Sequence, residues 1–304
     1  MLRLSLSSSV FAISLFALAA ERPVSDPPGP RLWLVQSGSA RVYIFGFGEA
    51  KDTSWLTPSI RRAFDESAEL WIETAGPGAS ADQSAADRAA AAERMRKLGE
   101  ESGRTLFDVL APPVRTRTLE YVAKLGIDRD SIARLRPWRA YYSINAAFWS
   151  KRAPGYPQVD PDAVLAEMAR KAGKKIGHEF PTRESFVTFM ATMPDQAQSQ
   201  YIEWLLDFLD DYEKGFNDTT ASFSWITGNP GDTPIRSLER MRTRMPELYQ
   251  VMQPQHNIWW ARRIYELLAS GGTSFVAVGQ LHVLGPDGIH RQLERLGIHV
   301  KPVP

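Results

Sequence analysis

The chain has 304 residues, 43% of them hydrophobic, with 36 lysines and arginines against 35 aspartates and glutamates. Such a length and apolar content support a sizeable core and exclude disorder of the whole chain. The even charge gives no electrostatic footprint for nucleic acid or an anionic membrane surface, and the absence of cysteine excludes disulfides, cysteine-ligated zinc and thiol catalysis.

The opening segment, MLRLSLSSSVFAISLFALAA, carries one early cation, Arg3, and an apolar run over residues 10–18. It closes on Ala17, Leu18 and Ala19, so residues 1–20 read as a signal peptide cleaved after Ala19 or Ala20. A membrane anchor is the alternative, but the dense apolar part is shorter than the ~18–20 residues of a spanning helix. Residues 21–30 are a proline-rich leader, and residues 31–304 are expected to form one domain. The mature chain is expected to be exported, periplasmic or extracellular, without a stable membrane span.

Two apolar runs, residues 32–35 and 42–47, flank Ser37, Gly38 and Ser39 and predict a hairpin. A helix follows, with Thr57 as N-cap, Pro58 at its first position and Ile60, Ala63 and Phe64 on one face. The run ELWIET then reads as a buried strand, which completes a strand–helix–strand unit. Helical patterns fill residues 82–97, 113–125, 130–135, 138–148 and 160–173. The strand KKIGHEF is followed by helices over 182–193, from 196 to about 213, over 235–245 and over 257–270. TSFVAVGQ is a strong buried strand, and a helix over 287–296 and a strand over 298–300 end the chain. The fold class is α/β (α+β), with a mixed sheet covered by many helices and a helical insertion or lid.

VYIFGFGE and FVAVGQLH echo one another. Each is an apolar strand, a glycine, two residues and then a side chain able to bind metal or move a proton. If the two halves share a sheet, Glu49 and His282 reach the same edge, where open α/β sheets build their sites. The glycines of the first half do not make a dinucleotide loop, because Lys51 stands where the third glycine belongs and no helix opens behind it. Glu49, Glu73, Glu179 and His282 all stand at or just past the ends of expected buried strands. A carboxylate there needs a partner, a proton or a cation. One histidine with two or three carboxylates suits a divalent ion of the Mn, Fe or Zn class, which could activate water. Taken singly, each glutamate could instead pair with an arginine or a backbone amide, and His282 could be a satisfied structural histidine.

The block GGTSFVAVGQLHVLGPDGIHRQLERLGIHVKPV resembles the C-terminal signature of the TraB/GumN family, a strand running into Gly-x-x-His and then Gly-Pro-Asp-Gly. RLWLVQSGSARVYIFGFGEAKD, AFDESAELWIET, RPWRAYY and AGKKIGHEFPTRESF resemble further family segments in the same order. HNIWWARRI resembles a helix that usually begins Arg-Asn, so Asn257 matches and His256 departs. The family is similar to the Tiki metalloproteases and to the group with erythromycin esterase and the ChaN haem-binding protein.

The resemblance implies a helix-covered mixed sheet and a site of two Gly-x-x-His motifs plus a glutamate. His282, with Gly279, matches the second motif and Glu73 the glutamate. Gly46 opens the first motif, whose histidine is replaced by Glu49. In the catalytic reading Glu49, His282 and one of Glu73 or Glu179 hold a divalent ion while the other glutamate moves the proton. The activity implied is metal-dependent hydrolysis of a peptide, or of another small-molecule substrate. The alternative is a degenerate member acting as a binding module for a peptide, haem or envelope component.

Other features are expected to be structural. Asp207, Asp210, Asp211 and Glu213 lack the spacing of a calcium loop and read as a solvated helix face. Trp204, Phe208, Trp259, Trp260 and Tyr265 read as core or lid packing, and His178 points to the strand face opposite Glu179. His290 and His299 read as surface residues.

Overall fold

The computed structural model describes residues 30–48, 50–74, 85–152, 159–214, 224–228 and 233–303. Residues 1–20, read from the sequence as a signal peptide, and Glu49 lie outside these residues. Among the described residues no helix is long and apolar enough to cross a membrane.

Six strands form one mixed sheet: β1 Leu32–Ser37, β2 Ala40–Phe47, β3 Glu69–Thr74, β4 Lys175–Phe180, β5 Thr273–Gly279 and β6 Val300–Pro302. Their order is β4-β3-β5-β2-β1-β6. The four strands from β4 to β2 run parallel, and β1 is antiparallel to both of its neighbours. The hairpin β1–β2 closes on a two-residue turn that opens with Gly38 at φ 58°, a conformation glycine adopts without steric cost. All four parallel strands therefore present their carboxyl ends at one edge.

The helices are α1 Pro58–Glu66, α2 Ala85–Leu98, α3 Leu106–Val109, α4 Pro112–Leu125, α5 Arg129–Ala133, α6 Pro137–Arg152 and α7 Pro161–Lys171. They continue as α8 Arg183–Thr192, α9 Asp195–Glu213, α10 Thr233–Arg244, α11 Pro246–Met252, α12 Pro254–Ser270, α13 Gln280–Val283 and α14 Ile289–Arg295. Alternation along the strands feeds two cores. On one face Val42, Ile44, Trp71, Val276 and Val278 pack against Trp260, Ile264 and Leu267 of α12 and Ile289 and Leu293 of α14. On the other, Tyr43, Phe45, Leu70, Ile72 and Phe275 meet Ile60, Ala63 and Phe64 of α1 and Leu165 and Ala169 of α7. The helical region is more than a cover. Helices α3 to α6 enclose a third core with Ile202, Leu205, Leu206 and Leu209 of α9, while Tyr201 of α9 belongs to the sheet core.

Two expectations are corrected. The acidic face of α9 is only partly solvated: Glu213 is exposed, Asp210 and Asp211 are half-buried, and all four acids are ion-paired. Asp207 is buried and lies 2.9 Å from Arg117 and 3.3 Å from Arg244. Asp210 pairs with Arg117 at 2.7 Å, Asp211 with Arg240 at 2.8 Å, and Glu213 with Lys124 at 2.5 Å. These ion pairs tie α9 to α4 and α10, and the buried Asp207 carboxylate is stable only because it is paired.

His290 is also not a surface residue. Its ring packs edge-on against Trp33 with centroids 4.2 Å apart, and its Nε2 is buried without a partner among the described residues. Burial pushes its pKa down to about 4, with Arg31 and Arg291 lowering it further against the pull of Glu294. A histidine held neutral in the folded state favours folding above its unfolded pKa near 6.5, and that contribution is lost as pH falls from there toward 4. The whole shift is worth about 3 kcal/mol. Urea unfolding at pH 7.5 and pH 4.5 should show stability falling on acidification, and His290→Gln should flatten the fall.

Candidate functional site

The site lies at the carboxyl edge of β3, β4 and β5. Trp71 is level with Gly177 across β3 and β4, and a Cβ on Gly177 would lie 2.5 Å from the Trp71 ring. Only glycine leaves room there. Ile72 is level with His178 and Thr74 with Phe180, so Glu73 and Glu179 stand side by side one pleat further on. Both lie on the α12 side of the sheet, and His178 faces the other way.

Glu73 accepts the Gly279 N–H at 2.6 Å through Oε1, which fixes it against the end of β5. The four-residue helix α13 begins there and carries His282, whose Nε2 lies 3.7 Å from the same Glu73 oxygen. Burial lowers the His282 pKa below its ordinary value, an effect that the Glu73 charge opposes. The imidazole is therefore neutral at pH 7 and offers one nitrogen lone pair. The other ring nitrogen, Nδ1, is 2.8 Å from Asn257 Oδ1.

Phe47 at the end of β2 is level with Gly279, which brings the strand before Glu49 to the same edge as His282. A Cβ on Gly46 would lie 2.6 Å from Val283 Cγ2, so this glycine lets α13 rest on β2. Gly46→Ala should force α13 outward, cost about 1–3 kcal/mol, and displace His282. Thermal unfolding checks the first effect, and the His282 imidazole resonances check the second.

Glu179 is not free beside Glu73. It accepts from His256 Nδ1 at 2.6 Å and from Trp260 Nε1 at 2.9 Å. His256 and Trp260 are four residues apart on one face of α12, and both reach the same carboxylate. With Nδ1 donating, His256 keeps its other nitrogen, Nε2, buried and without a partner among the described residues. Its ring centroid is 5.8 Å from that of His282. His256 is thus a site residue that the strand-end argument missed. The His-to-Trp spacing of four was the available signal.

Asp162, in the first turn of α7, was missed as well. Burial, then the Glu73 and Asp160 carboxylates, push its pKa well above the usual range, and its Oδ1 has no hydrogen-bond partner among the described residues. The charged form of Asp162 is thus disfavoured by its burial and by the Glu73 carboxylate. Of the expected site residues, Glu73, His282, Asn257, Gly279 and Gly46 converge, and Glu179 joins through His256. Glu49 falls outside the described residues.

Fold and site together define an α/β protein with a buried imidazole and a carboxylate facing each other at the carboxyl ends of parallel strands. The chain belongs to the TraB/PrgY/gumN family, whose model matches residues 31–302. No curated protein and no solved structure matches it.

Proposed function

We propose that the chain is an exported, metal-dependent hydrolase acting on peptide bonds. One observation carries this reading: the neutral His282 imidazole and the Glu73 carboxylate face each other across 3.7 Å. Two acceptors at that spacing repel unless a cation or a proton donor lies between them. An imidazole nitrogen with a carboxylate is a donor pair suited to a divalent ion of the Mn, Fe or Zn class. Among the described residues no three His, Cys, Asp or Glu side chains form a group able to hold a metal; the third donor in this reading is taken from the sequence motif, Glu49, which lies outside the described residues. The ion would lower the pKa of a bound water and polarise the scissile carbonyl.

The remaining work falls to the chain's own groups. Gly279 N–H holds Glu73 in place. Glu179 orients His256, whose Nε2 can accept a proton from water and return it to the leaving amine. In this arrangement Glu179 serves the proton-moving role through His256, and Glu73 serves as the ligand.

The test is metal content and peptide hydrolysis of the purified chain, with and without added Mn²⁺, Co²⁺ or Zn²⁺, beside His282→Ala. Wild type should bind more metal than the variant and gain activity from it. Equal metal content together with no activity sinks the reading. Gain of metal binding or activity in Glu49→His would instead mark the chain as a degenerate binding module.

A further inference from the structure

Asn257 is fully buried at the start of α12. Its Nδ2 donates to the Asp287 backbone carbonyl at 2.9 Å, and its Oδ1 faces His282 Nδ1 at 2.8 Å. A carbonyl can only accept, so the amide nitrogen must be the group on Asp287 and the amide oxygen the group on His282. An amide oxygen also only accepts, so His282 Nδ1 must carry a proton. A neutral imidazole carries a single N–H, so with Nδ1 protonated Nε2 is bare, and Nε2 is the nitrogen that faces Glu73.

The orientation of Asn257 is itself fixed from behind. The Asp287 carbonyl also accepts from Gln292 Nε2 at 3.2 Å. The Asp287 carboxylate accepts from Tyr249 O–H at 2.9 Å and lies 3.6 Å from Arg295. Helices α11 and α14 thus grip the turn that α12 reads. The turn closes only with glycine at both ends: Gly285 has φ 77°, and a Cβ on Gly288 would lie 2.7 Å from the Leu284 carbonyl oxygen.

We infer that Asn257 is the positioning residue of His282: held by the Asp287 carbonyl, it selects the Nδ1-protonated tautomer and presents Nε2 to Glu73. The Gly-Pro-Asp-Gly turn is then a part of the site, since it holds the amide the right way round. Only the kinetic arm of the following test rests on the hydrolase reading.

The experiment is nitrogen NMR of the full chain labelled with ¹⁵N-histidine at neutral pH. The His282 signals are those lost in His282→Gln. Wild type should show one neutral tautomer, with Nδ1 protonated and Nε2 not. A wild-type Nε2-protonated form, or an even mixture, overturns the inference whether or not any variant folds. Asn257→Leu removes the acceptor and should give a tautomer mixture, with kcat down roughly 10–100-fold and KM changed less. Asn257→Asp restores an acceptor toward Nδ1 and should recover the single tautomer. If Asn257 merely clamps the turn, Asn257→Leu lowers stability yet keeps the single tautomer and kcat, and the inference fails. If wild type shows the tautomer but hydrolyses nothing, the hydrolase reading fails and the positioning role stands.

Discussion

On the hydrolase reading, Glu73→Gln should reduce hydrolysis by about 10²–10⁴-fold while leaving the fold intact. Glutamine has nearly the shape of glutamate, and its carbonyl oxygen can still accept the Gly279 N–H. What is lost is the negative charge opposite His282. Since that charge raises the His282 pKa against the effect of burial, its removal should lower the pKa further. Two measurements check this: steady-state kinetics, and an NMR titration of the His282 imidazole. An unchanged rate with a lowered pKa would mean that Glu73 shapes the electrostatics of the site without serving its chemistry.

The largest expected effect on stability is at Trp260. This side chain is fully buried between α12 and the sheet, and it is one of two donors to Glu179. Trp260→Ala should cost about 3–5 kcal/mol for the lost ring and cavity. It adds about 1–3 kcal/mol for a buried carboxylate left short of a donor. Trp260→Phe keeps most of the volume and should show mainly the second part. Urea unfolding of the two variants separates the terms. The Phe variant should also lose activity, because Glu179 would hold His256 through one oxygen with its other oxygen unrestrained.

Parts of this architecture follow from local sequence. β2, β3 and β5 are continuous apolar runs stopped by glycine or carboxylate, and Thr57–Pro58 starts α1 as capping chemistry requires. Glu73 and His282 could be named because strand ends are costly places for them. The order of the strands was not legible, since nothing local tells β5 to enter between β3 and β2. His256 and Asp162 are helical residues whose significance depends on which strand end their helices approach. The same limit misread Asp207: its arginine partners lie on α4 and α10, remote in sequence, and an isolated helix face gives no sign of them. His290 failed for the same reason, because its cover is Trp33 at the other end of the chain.

The central place of β5 bears on how the chain folds. Until its residues are available, β2 and β3 cannot be bridged, because each pairs with β5 and not with the other. Both then present an unpaired apolar edge, which is a template for aggregation. Most of the chain must be made before the contacts that close the sheet can form, and such long-range closure slows folding. The strand that delivers His282 is therefore the keystone of assembly. Loss of the last 35 residues removes β6 as well as β5, so it should leave β1, β2 and β3 each with an open edge and a chain prone to precipitate before it can fold.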